Sequence, residues 1–93
     1  MNGVRIVVHD KTVNSDADGN IYVTRLNMYG KVNTYRLSTK EYTPMEVAHW
    51  LFLRDKLVQD AFPNMTADDR EFLMTGITPA EWAAMFPKEE GDE

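Results

Sequence analysis

Thr43-Pro44-Met45-Glu46-Val47-Ala48-His49-Trp50-Leu51-Phe52-Leu53-Arg54-Asp55-Lys56-Leu57-Val58-Gln59-Asp60-Ala61-Phe62 is the longest apolar stretch with a helical period, and its reading decides the fold. Thr43 can cap, Pro44 suits the first helical position, and Glu46 stands where a capping box places its acid. The spacing predicts one long helix that Pro63 ends. At about 100° per residue, Val47, Trp50, Leu51, Leu57, Val58, Ala61 and Phe62 form one broad apolar face. Arg54 falls inside that face. Met45, Ala48 and Phe52 make a second, narrower stripe on the other side, so the helix calls for two partners. The expected partners are a sheet on one side and two short helices on the other. Whatever they leave uncovered would be an interaction surface.

Before this stretch the chain reads as β-structure. Val4 to Val8 is β-branched and predicts a strand over about residues 3 to 9. Asn14-Ser15-Asp16-Ala17-Asp18-Gly19-Asn20 is a dense turn signal, followed by strands over Ile21–Met28 and Val32–Ser38. The expected sheet is a three-stranded antiparallel meander. Tyr22, Leu26, Met28, Tyr35 and Leu37 are expected to face the helices, with Arg25 and Arg36 on the opposite side.

Beyond the long helix, Thr66 caps a short helix through Met74 that Gly76 stops, and Thr78-Pro79-Ala80-Glu81 opens another carrying Trp82, Met85 and Phe86. The expected fold is a single α+β domain over residues 1–87, with an acidic tail, 88–93, expected to be disordered.

Composition narrows the function classes. With no cysteine, a disulfide framework, a thiolate zinc site and a cysteine nucleophile are all excluded. No run approaches the roughly 18 apolar residues of a membrane span, and no apolar leader opens the chain, so a cytoplasmic protein away from membranes is expected. The net charge of −5 is unevenly spread. Up to Glu41, six bases face four acids; after it, four bases face eleven acids. The acidic half should repel nucleic acid and attract a protein with a basic surface.

Four features could carry chemistry. Asn14, Asp16 and Asp18, with Gly19, have the spacing of a calcium loop, but the position that should bring a bidentate glutamate is Arg25, so a polar hairpin turn is expected instead. Lys11, Arg25, Lys31 and Arg36 with the sheet tyrosines form a candidate nucleic-acid face, which inward-facing tyrosines would abolish. The helix from Thr78 to Phe86 lacks the basic or amide side chains of a DNA-reading helix. His9, His49, Ser15 and Ser38 do not assemble a nucleophile with its base, so neither an enzyme nor a cofactor is expected.

From Asn64 to Pro87 the chain resembles the ends of short proteins of bacteriophages and prophages. The resemblance is carried by Thr66, Asp68, Asp69, Arg70, Glu71, Phe72 and Leu73, then by Thr75-Gly76-Ile77-Thr78-Pro79 with Glu81 and Trp82. It implies a small accessory protein, with no known activity attached. The sequence-based expectation is therefore a non-enzymatic protein–protein interaction module, such as a phage inhibitor that occludes a host protein in the bacterial cytoplasm. Met45, Phe52, Arg54, Trp82, Met85 and Phe86 would supply its anchors. The alternatives are a nucleic-acid-associated protein using the basic sheet face, and an assembly component acting by self-association as a homo-oligomer.

Overall fold

A computed structural model describes residues 3–85. The order is β1 (Val4–Val8), β2 (Lys11–Ser15), β3 (Ile21–Leu26), β4 (Val32–Arg36), α1 (Pro44–Leu53), α2 (Val58–Ala61), α3 (Ala67–Thr75) and α4 (Pro79–Met85). The four strands form one antiparallel sheet in sequence order, so the architecture is α+β.

The sheet has four strands where three were expected. Lys11–Ser15 carries no strand period of its own, because its only aliphatic residue is Val13. That single valine is fully buried, and it pairs with Ile6 on one side and Val23 on the other. The β1–β2 turn is only His9 and Asp10, and His9 takes a left-handed conformation, φ 57°, that favours glycine. No sequence signal announces so tight a turn.

The buried face of β3 also differs from expectation. Ile21 and Val23 point to the helices, while Leu26 and Met28 are exposed. Tyr35 and Leu37 face inward as expected. The register explains the exchange. Ile6, Val13, Val23 and Tyr35 form one cross-strand row, so Arg5, Asn14, Tyr22 and Arg36 must form a row on the opposite face. Arg25 shares the inner face with Val23, and Arg36 does not. The two arginines expected together are thus on opposite sides of the sheet.

The long helix is two. α1 begins as its sequence predicts, with both halves of the Thr43–Glu46 capping box made, at 2.8 and 3.1 Å. It ends at Arg54, whose φ of 50° makes a left-handed C-cap. Residues 55–57 then form a corner before the single turn of α2. The corner is held by Trp50, whose indole N–H donates to the Lys56 carbonyl at 2.9 Å. Phe62 packs edge-on against both Trp50 and Tyr42.

α3 and α4 close the inner face over β3 and β4, their caps at Thr66 and Thr78 as expected. Gly76 ends α3 in the left-handed region, φ 78°. A Cβ there would run into the Leu26 carbonyl and Asn27, so only glycine lets the turn lie against the end of β3. The fully buried Asp69 carboxylate accepts hydrogen bonds from the Tyr35 phenol, the Ser38 hydroxyl and the Ser38 backbone N–H, at 2.8–2.9 Å. All three donors come from β4 or the residues just after it, so α3 is tied to the sheet by one carboxylate.

Candidate interaction surface

Exposed apolar groups fall in two main sets: Val4, Val7, Met45 and Phe52 on β1 and α1, and Met28, Tyr29 and Val32 around the β3–β4 turn; the first set borders a sheet edge covered by a single helix. Alternation of antiparallel hydrogen bonds identifies which backbone groups are free there. Leu37 N–H donates to the Ile21 carbonyl and Asn27 N–H to the Lys31 carbonyl, so the odd-numbered residues of β3 bond to β4. Tyr22 and Thr24 therefore bond to β2, and Val13 in turn bonds to Ile6 of β1. The N–H and C=O groups of Arg5 and Val7 point away from the sheet, into the open edge. β1 contains no proline, glycine or bulge and a single charge, Arg5, so it lacks the devices that usually blunt an edge strand.

α1 packs on β1 and β2, the two strands at this edge. Val47, Ala48 and Leu51 are buried against the sheet, but Phe52 is 58% and Met45 64% exposed. Seven residues apart, these two share one flank of the helix. Phe52 stacks on His9, the residue after β1, with ring centroids 5.3 Å apart. At the other end of β1, Val4, on the same inner face, is 48% exposed. The helix that covers the edge strand thus keeps two large apolar side chains exposed on one flank.

The other edge is different. On β4 the outward-pointing residues are Val32, Thr34 and Arg36, and the inner face beside them is closed. Asn33 donates to the Gly76 carbonyl at 2.8 Å and to Glu81 at 2.7 Å, and Tyr35 stacks on Phe72.

The remaining sequence candidates are dispersed. Arg54 is exposed at the corner after α1, its guanidinium 4.6 Å from the Trp50 ring centroid, rather than in the middle of a buried face. With Leu57 and Met74 it lines a shallow cleft of about 320 Å³. Trp82 and Met85 are half-buried on α4, which is anchored at the β3–β4 end through Glu81, far along the strand order from Met45 and Phe52. Phe86 and the acidic tail lie outside the described residues.

The candidate nucleic-acid residues do not form one face. Arg25 is turned inward, donating to the Leu73 carbonyl at 2.8 Å and to that of Leu26 at 2.9 Å. Burial, and then the nearby Arg54 charge, lower its pKa. Lys11 pairs with Asp10 at 3.2 Å and Lys31 with Glu81 at 3.4 Å. Arg36 alone of the four is on the open face. There the row Arg5, Asn14, Tyr22, Arg36 is one that residue spacing did not single out, because the hidden strand β2 sets its register.

The loop from Asn14 closes on itself. Asp16 Oδ1 accepts from the backbone N–H groups of Asp18 and Asn20, and Oδ2 accepts from the Asn20 amide and the Tyr22 hydroxyl. The Asn20 side chain and then the backbone donors hold the Asp16 carboxyl below its ordinary range. Asn14 lies in β2, and the carboxylate faces its own hairpin. Among the described residues no group of three or more His, Cys, Asp or Glu could hold a metal ion. None of those residues forms a helix long and apolar enough to cross a membrane.

Comparison with protein families, with characterised proteins and with solved structures yields no match.

Proposed function

We propose that this protein is a protein–protein interaction module that accepts an extended segment of another polypeptide along β1. The observation that carries this reading is the coincidence of the edge-directed Arg5 and Val7 backbone groups with the exposed Phe52 and Met45 on the helix that packs on β1. An added strand would meet both. Its backbone would bond to β1, and its alternate side chains would pack beneath α1, the combination that gives affinity and specificity in strand addition. Occlusion of the captured segment is the mechanism this implies, and blocking a host protein is one use of it. No side chain need react, so the reading is non-enzymatic.

The test is selection of binding peptides from a displayed library of extended segments, followed by amide chemical-shift mapping. Binders that perturb Arg5, Val7 and Phe52 and are lost in Phe52→Asp support strand capture. Binders that map to the β4 edge or to the Arg54 cleft refute it.

Nucleic-acid binding is the second reading, favoured by one observation: Arg5 and Arg36 end one cross-strand row on the outer face, with Asn14 and Tyr22 between them. Single-stranded nucleic acid would then bind with a steep salt dependence and lose affinity in an Arg5→Ala/Arg36→Ala variant. An Arg25→Ala change would not serve as that test, because it removes a contact to α3.

A further inference from the structure

We infer that the strand β1 accepts is the β1 of a second copy of this chain, giving a twofold dimer with one continuous eight-stranded sheet. The inference rests on reading the β1–α1 flank as a strand-accepting surface, and it names the occupant.

Three features make β1 complementary to itself. First, only Arg5 and Val7 within β1 present edge-directed backbone groups, which restricts antiparallel self-pairing to a few registers. Centring the twofold axis on Arg5 would put two guanidinium groups opposite each other, which is unfavourable. Centring it on Ile6 instead places each Arg5 opposite a Val7. The backbone groups of Arg5 and Val7 then bond reciprocally, and no like charges face each other. Second, in that register Val4 lies opposite the partner's Val8, at the end of the strand where His9 and Phe52 stack. Each Phe52 therefore covers the other copy's exposed Val4, and the operation repeats the contact on both sides of the axis. Third, the two α1 helices come side by side on the inner face. The exposed Met45 and Phe52 of one copy would then pack against those of the other, whereas a bare peptide strand would leave their outer surfaces wet. β4 is no more blunted than β1, with one charge and no proline or glycine, but it offers no equivalent seam because α3 and α4 already close its inner face.

The test is mass measurement of the full 93-residue chain by light scattering and sedimentation from a few to several hundred micromolar. A species of twice 10.7 kDa is expected, dissociating on dilution. Val7→Pro removes an edge-directed N–H without touching the β1–β2 bonds, and Phe52→Asp places charge in the seam. Each should weaken dimerisation at least tenfold, and slow exchange of the Arg5 and Val7 amides in the unaltered dimer should be lost in Phe52→Asp. If Val7→Pro fails to fold by circular dichroism, Phe52→Asp and the amide exchange decide. A 10.7 kDa species at every concentration overturns the dimer, as does a dimer indifferent to Phe52→Asp. A monomer whose selected peptides still map to Arg5 and Val7 overturns the dimer alone, and a monomer whose binders map elsewhere removes the strand-capture reading as well.

Discussion

The Tyr35 phenol donates a 2.8 Å hydrogen bond to the Asp69 carboxylate, joining β4 to α3 inside a site from which Asp69 has no exposure to water. Removing the donor leaves the carboxylate with the two Ser38 bonds and one fewer compensation for its burial. Tyr35→Phe is expected to cost about 1.5–3 kcal/mol, the range for hydrogen bonds to charged groups. Urea unfolding measures it, and an unchanged midpoint would show that the site is solvated.

The same bond gives an alkaline signature. Burial, and then the Asp69 hydrogen bond, push the Tyr35 phenol above its ordinary pKa. An unfolded chain gives up that proton near pH 10, whereas the folded chain keeps it. The contribution is therefore complete below about pH 10 and is lost as pH rises toward the elevated folded value. Stability measured against pH should bend downward above 10, and the bend should be shallower in Tyr35→Phe.

Asp16 provides the opposite limb. Its folded pKa is lowered, so its contribution is present above the ordinary aspartate pKa and disappears as pH falls through the lowered value. Asp16→Asn should flatten the acid side of the stability profile and leave the neutral plateau lower. A hairpin that depends on this carboxylate should also give no heat on calcium titration.

Gly76→Ala tests the approach of α3 to the sheet. The substitution meets both a left-handed backbone and the Leu26 carbonyl, with no flexible side-chain end to move aside on the Leu26 and Asn27 backbone. A loss of about 2–4 kcal/mol is expected, above the roughly 1 kcal/mol of the conformational effect alone. Denaturant unfolding would separate these values.

Arg54→Gly should be nearly neutral, within about 1 kcal/mol, because relief of the left-handed backbone offsets the lost contact with Trp50. A loss above 3 kcal/mol would return Arg54 to a buried, paired role.

What was legible in the sequence follows from where information is local. The three threonine caps and the Gly76 stop are each written within four residues, and all lie where spacing puts them. β2 was not legible, since one valine among Lys11, Thr12, Asn14 and Ser15 gives no period, and its place is set by two neighbouring strands. That omission also inverted the reading of Tyr22 and Arg25, because the inner face of β3 depends on pairing. The break at Arg54 was hidden for a related reason. Trp50 holds the corner by bonding a carbonyl six residues on, while the apolar period continues through it. Phe52 and Met45 were legible as a second stripe, but their exposure depends on the sheet ending at β1.

The sheet order, in which every strand neighbours only those next to it in the chain, has a kinetic consequence. Its hairpins close over short loops, and such local pairing folds fast because little loop entropy is lost before contacts form. The distant closures belong to the docking of the helices: α1 on β1, with Phe52 on His9, and α3 on β3 and β4, with Tyr35 to Asp69 across 34 residues and Arg25 to Leu73 across 48. Refolding should therefore be limited by the seating of the helices, with the meander and its open β1 edge assembled first.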